Sequence, residues 1–289
     1  MRAPPARIRL RSLPAAAGLF WIRRGFRTFW RRPLGFFGLW LFAMLCLFTV
    51  TVATLAISRS PAALLSIAAL LPLITVGFMA AAEDALDDVR LRPGVFLAAL
   101  TRDAASRRAM LAIVLVYAGA ILLLALGADA IDGGETRRWL QAAMTPGPDG
   151  KPPALAPPGD ATLSALRFMS LGVMLVSIPL WHAPALVHWG RQGAAQAMFS
   201  SVVAVWRTKG AFITFLLGWF VLFVALDTAA QLLAAVFGTE AISLGWLTCQ
   251  TALSVTYFIS MWFCFVDTFE IAAPAAFRTV MASGEPPAP

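Results

Sequence analysis

The run Trp181-His182-Ala183-Pro184-Ala185-Leu186-Val187-His188-Trp189 holds both histidines of the chain. Imidazole is the side chain that exchanges a proton near neutral pH and ligates metals through a neutral ring nitrogen. Six residues apart, the two rings stand about 240° from each other around an unbroken helix, so they share a face only if Pro184 kinks the segment. As metal ligands they need carboxylates or thiols from elsewhere. A bis-histidine haem needs facing helices, and one segment does not supply them. Asp267 and Glu270, at the end of the last apolar run, have the depth to partner His182 or His188. The structural alternative is hydrogen bonding by both imidazoles to neighbouring helices.

Two more ionisable residues lie within apolar runs, where charge is costly and marks function or pairing. Arg167 opens the fourth run and Asp227 is the seventeenth residue of the fifth, which suggests similar depth and an ion pair; a substrate or proton role is the alternative. Glu83, Asp84, Asp87 and Asp88 form an acidic group with the donors for a divalent metal, although four carboxylates beside several arginines more simply make a solvated face. Cys46, Cys249 and Cys264 lack C-x-x-C spacing and read as small apolar core residues. The chain contains no G-x-S-x-G, H-E-x-x-H, Walker A or dinucleotide fingerprint. No catalytic, cofactor or metal residue is assigned from sequence.

The elements that position these residues follow from composition. Of 289 residues 60% are hydrophobic and 13% charged, and mean hydropathy is +0.77, more apolar surface than a soluble fold can hide. Six runs are long enough to cross a bilayer, at 34–57, 61–82, 109–128, 165–187, 211–236 and 244–266. The expected fold is an all-α integral membrane protein with six transmembrane helices. Pro72, Pro179 and Pro184 fall within the runs and predict kinks. The first run is too long for a cleaved signal and reads as an uncleaved span.

The net charge of +8 comes from 21 Arg and two Lys against 15 acidic residues. Eighteen of the basic side chains fall on the side of the N-terminus and four on the other, Arg167 aside, which predicts cytoplasmic termini. In such a chain a basic balance implies topology and anionic lipid rather than nucleic acid. The outer connection 129–164, rich in Pro and Gly, reads as a flexible or polyproline-like loop. Residues 1–15 and 271–289 read as flexible ends around one membrane domain, 16–270.

Before three of the spans lies a segment of about 15 residues too polar to cross. In the first, Leu19, Ile22, Phe26, Phe29 and Trp30 share one helical face and Arg23, Arg24, Arg27 and Arg31 the other, the pattern of a helix lying flat in the membrane interface. In the third, Met198, Phe199, Val202, Val203 and Trp206 form the stripe, followed by Arg207 and Lys209. The second is weaker, with Phe96, Ala99 and Leu100 before Arg102, Arg107 and Arg108. Arg23, Arg24, Arg27, Trp30, Trp206 and Arg207 are the expected lipid contacts. Aligned on these segments, the chain reads as three repeats of interfacial helix, span, span; the plain alternative is that topology makes each such connection basic. An odd number of same-direction units differs from the inverted repeats of many secondary transporters.

Trp21-Ile22-Arg23-Arg24-Gly25, the 181–189 run, Met198-Phe199-Ser200 and Asp267-Thr268-Phe269 together resemble an uncharacterised family of proteobacterial inner-membrane proteins, from about Gly18 to Phe269. The resemblance implies a multi-span inner-membrane protein and supplies no reaction, substrate or cofactor. The layout is also similar to the membrane part of some glycerophosphodiesterases, whose soluble catalytic domain has no counterpart here. The expected function is a non-catalytic protein that organises anionic lipid or protein partners, a homo-oligomer among them. A transporter or channel for a small solute is the alternative, and an intramembrane enzyme on His182, His188 and Asp267 a third.

Overall fold

The computed structural model describes residues 8–58, 65–144 and 157–270. In chain order the elements are β1 (Arg9–Leu10), α1 (Ala17–Arg31), α2 (Pro33–Ser58), α3 (Leu65–Leu86), a 3-10 turn (Pro93–Leu97) running into α4 (Ala98–Thr101), α5 (Ala104–Asp132), α6 (Glu135–Met144), α7 (Asp160–Leu180), α8 (Ala183–His188), α9 (Ala194–Arg207), α10 (Lys209–Phe237), α11 (Thr239–Thr268) and β2 (Phe269–Glu270). Six helical segments are long and apolar enough to cross a membrane: α2, α3, α5, α7 with α8, α10 and α11. The chain is an all-α multi-pass membrane protein.

Observed helices outrun the apolar runs, because a helix continues into polar ends that hydropathy alone trims. The third span extends to 104–132 and the sixth to 239–268, and the second runs on to Leu86; its expected start at 61–64 lies outside the described residues. The expected loop 129–164 is partly helical. α5 ends on Gly133 at φ 60°, a left-handed position that glycine adopts without strain. Asp132 then accepts the backbone N–H of Gly134 and Thr136 at 2.9 and 2.6 Å, turning the chain into α6. Residues 145–156 of that loop lie outside the described residues.

α3 is the centre of the bundle. Its Ile74, Val76, Phe78, Met79, Ala80, Ala81, Ala82 and Ala85 are all buried, and the alanine run lets neighbouring helices come close, as small residues do in membranes. α3 packs against α5 on one side and α11 on the other; α5 continues to α7, and α11 to α10. The five spans form an arc whose two ends, α7 and α10, meet through Trp181 against Phe212 and Phe215, with ring centroids 5.3 and 6.2 Å apart.

The short pre-span helices dock on this arc with one face and leave the other free. α1 lies across α10 and α11. Its expected stripe splits: Ile22 and Phe29 are buried, Leu19 and Trp30 are exposed, and the face against protein is completed by Trp21, Gly25 and Thr28. α9 buries Ala197, Ser201 and Ala204 and leaves Phe199 and Trp206 outward. Phe96 and Ala99 are buried too, Phe96 lying against Gly77 of α3 and 5.4 Å from the Phe78 ring. Residues 8–15 are placed as well: β1 pairs antiparallel with β2, Arg9 opposite Glu270 and Leu10 opposite Phe269, where sequence suggested a flexible end. Residues 271–289 lie outside the described residues.

The fourth span is broken at Trp181-His182. Ser201 Oγ donates to the Ile178 carbonyl at 2.9 Å and accepts the His182 N–H at 3.0 Å. In an unbroken helix those two groups bond each other, residue i to i−4. The serine of α9 is thus inserted into the ladder of the span, one of the recognised causes of a sharp kink. Ser201→Ala removes both bonds and leaves two backbone groups buried without partners. The expected cost is about 1–3 kcal/mol, read as a lower thermal midpoint of the purified protein; Ser201→Thr, which keeps the hydroxyl, is expected to lose less.

Candidate functional site

Polar side chains collect at the end of the bundle that carries α1, α4 and α9, called here the basic end. α1 turns Trp21 and Arg24, one helical turn apart, towards α11. Arg24 Nη1 donates to both carboxylate oxygens of Asp267 at 3.0 and 2.9 Å, and Trp21 Nε1 donates to the same group at 2.9 Å. The guanidinium carbon also lies 4.2 Å above the Phe263 ring, a cation–π contact. Asp267 therefore partners neither histidine, and Arg24 is a protein contact rather than a lipid contact. Reach decides this: α1 lies along the C-terminal turns of α11, so the Asp267 carboxylate already accepts three hydrogen bonds from Trp21 and Arg24.

The acidic group stays near the end of α3 but divides by environment, Glu83 and Asp84 half-buried and Asp87 and Asp88 exposed. Glu83 accepts Trp189 Nε1 at 3.0 Å, and Asp88 pairs with Arg32 at 3.3 Å. Glu83 thus belongs to the interior rather than to a solvated face. Among the described residues no three His, Cys, Asp or Glu gather closely enough to hold a metal ion. Asp103 caps α5, taking the Ser106 N–H at 2.8 Å and its hydroxyl at 3.0 Å; these bonds hold its carboxyl below the ordinary value.

The two histidines have different surroundings. His182 is 1% exposed and boxed by Phe212, Phe265 and Phe269, with centroids at 5.5, 6.0 and 5.1 Å. Its Nε2 lies 4.0 Å from Cys264 Sγ. His188 packs edge-on to Trp189 at 4.5 Å, and its backbone carbonyl accepts Arg102. The break does not turn both rings into one site: His182 packs among Phe212, Phe265 and Phe269, while the half-buried His188 ring lies against Trp189 with its Nδ1 buried and unpartnered. Cys264 is buried as expected, whereas Cys46 and Cys249 are exposed on the outer face of the bundle.

Just beyond the break, inside the arc, is a cavity of about 140 Å³ lined by Pro72, Thr75, Tyr117, Ser177, Trp181 and Tyr257 among others. Both tyrosines of the chain reach it. Towards the basic end it is floored by packed rings: Trp181, Phe212, Phe215 and Tyr257. The broken fourth span thus borders a small, partly open and mainly apolar space that carries a few hydroxyls.

Arg23, Arg27 and Arg31 on α1, Arg107 at the start of α5 and Arg207 at the end of α9 are exposed. The ion pairs among the described residues are Arg11–Glu270, Arg24–Asp267, Arg32–Asp88 and Arg137–Asp129, and none uses these five. Trp30 and Trp206 stand beside them, 69% and 73% exposed, and Lys209 Nζ sits 4.9 Å over the Trp206 ring. Arg167 and Asp227 do not pair: Asp227 accepts Trp246 Nε1 at 2.9 Å, and Arg167 is exposed on α7. They stand on the two ends of the arc, which are not packed along their lengths.

Sequence reasoning missed the Arg24–Asp267 and Glu83–Trp189 contacts. The signal for the first was present in the Trp21/Arg24 spacing on α1, the buried face of which includes two glycines, Gly18 and Gly25. A probable inner membrane protein of Burkholderia thailandensis is 28% identical over 247 residues, covering 82% of this chain and 84% of its own length. No protein-family profile matches the chain, and no solved structure matches it.

Proposed function

We propose that this chain is a non-catalytic inner-membrane protein whose basic end faces the cytoplasm and gathers anionic lipid. The observation that carries the proposal is the set of exposed arginines, Arg23, Arg27, Arg31, Arg107 and Arg207, which have no acidic partner among the described residues and stand beside outward Trp30 and Trp206. Arginine at headgroup depth attracts anionic lipid, and tryptophan anchors at that level. The bias of basic residues supports the orientation, the name of the Burkholderia relative supports the inner membrane, and the recurring order of short helix, span, span supports descent from one repeated unit. The non-catalytic part rests on the enclosure of His182 and Cys264, 1% and 0% exposed, where no substrate reaches them.

The test uses the full chain extracted with its surrounding lipid. Arg23, Arg27 and Arg31 are replaced together by Gln; Arg24 is spared because it holds Asp267. Each arginine contributes on the order of 1 kcal/mol near an anionic surface, so retained anionic lipid is expected to fall more than about tenfold relative to zwitterionic lipid. An unchanged ratio would sink the proposal.

A second reading, passage of a small solute, is favoured by the broken fourth span, a feature found at transporter midplanes, and by the cavity beside it, whose mainly apolar lining includes Tyr117 and Tyr257. The aromatic floor counts against it. Solute-dependent protection of Tyr117 or Tyr257 from chemical labelling would favour this second reading.

A further inference from the structure

We propose that Arg167 and Asp227 join two copies of this chain, each arginine inserting into the α10–α11 groove of the other copy. The first support is depth. Trp181, Phe212 and Phe215 touch and so lie at one level. Arg167 is 14 residues from Trp181 along α7, and Asp227 is 15 and 12 residues from Phe212 and Phe215 along α10. At 1.5 Å per residue those spacings are ~21 Å and ~18–23 Å, the same height within the reach of a side chain.

The second support is that both charges are unmatched where charge is costly. Among the described residues neither belongs to an ion pair. Asp227 is ten residues from the far end of α10, ~15 Å down at helical rise, and a short aspartate cannot snorkel that distance as lysine or arginine can.

The third support is shape. Asp227 lies in a groove of about 380 Å³ with Gln231, Thr239, Ser243 and Trp246. A carboxylate, an amide oxygen and two hydroxyls are the acceptors a guanidinium needs. In two copies related by a two-fold axis along the membrane normal, every residue keeps its depth, so only groups at equal height can meet. Arg167 with Asp227 fulfils that condition twice in one isologous contact.

Charge reversal in trans tests it. Full-length chains with two different tags are co-expressed, and self-association is read by energy transfer in bilayers and by two-tag recovery. The unaltered chain is expected to self-associate. Arg167→Asp alone places two aspartates opposite each other at both contacts, and Asp227→Arg alone places two arginines; each is expected to weaken association at least about a hundredfold. A mixture of Arg167→Asp chains with Asp227→Arg chains recreates both pairs and is expected to associate again. Arg167→Gln and Asp227→Asn, which remove attraction without adding repulsion, should weaken association less and control for loss of folding.

Pairing within one chain predicts otherwise: mixing would restore nothing, while both reversals in a single chain would restore membrane abundance. That result overturns the proposal. A monomeric unaltered chain, or single reversals that still associate, overturns it as well. None of these outcomes bears on lipid retention at the basic end, so the two proposals stand or fall separately.

Discussion

Asp267→Leu is expected to destabilise the folded chain by about 2–3 kcal/mol. The carboxylate is the shared acceptor of Arg24 and Trp21, so its removal leaves a guanidinium and an indole N–H without partners at a packed helix crossing. A fully buried pair broken on one side loses about 3–5 kcal/mol; the smaller figure reflects the third of the Arg24 side chain that remains exposed. Arg24→Leu added to Asp267→Leu is expected to recover part of the loss, since no unpaired charge then remains and leucine packs well on Phe263. A denaturation midpoint measured for both singles and the double gives the coupling. Strict additivity would mean that the contact does not hold α1 on α11. Arg24→Lys, which keeps charge but loses the forked donor geometry, should fall between.

Gly18→Leu is expected to cost more than about 3 kcal/mol, above the usual range for overpacking. A Cβ on Gly18 would collide with the Ala211 carbonyl and lie 2.5 Å from the Phe215 backbone nitrogen. Both obstacles are main chain in the first two turns of α10, and neither can swing aside. Seven residues on, Gly25 meets α11, where a Cβ would lie 2.9 Å from Ser260 Cβ and 3.1 Å from the Thr256 carbonyl; Gly25→Leu should act in the same direction but less strongly. The expected outcome for Gly18→Leu is a bundle that keeps its spans while α1 lifts away, seen as fast amide exchange along 17–31 with slow exchange preserved in α3. Unchanged exchange in α1 would show that the helix is not held by this close approach.

How much of this was legible depends on which physical signal each feature sends. Spans announce themselves, because twenty apolar residues in a row have no competing explanation, and Arg167 and Asp227 were placed at one depth by counting. The partner of each charge was not legible. Asp267 could be matched to His182 by height alone, and only the crossing of α1 over α11 decides for Arg24. For α1 the apolar stripe was visible but its use was not: a helix that packs through glycines on protein and turns Leu19 and Trp30 outward has two apolar faces, and periodicity cannot say which meets which. The Ser201 insertion sends no pattern at all, since a serine on a small-residue face looks the same whether or not it completes another helix's ladder.

The docking of α1 on α10 and α11, with β1 beside β2, sets an order on how the protein is made. α1 leaves the ribosome before α10 and α11, the two spans that carry its binding surface. Until those spans enter the bilayer, α1 has glycines, Trp21 and a free guanidinium with nothing to receive them, and it must wait while more than 170 residues are translated. Contacts so distant in sequence are the slow ones to form. A chain halted after α9 would hold its earlier spans with α1 undocked, because the α10 backbone that Gly18 approaches and the α11 turn that Gly25 approaches would not yet be in place.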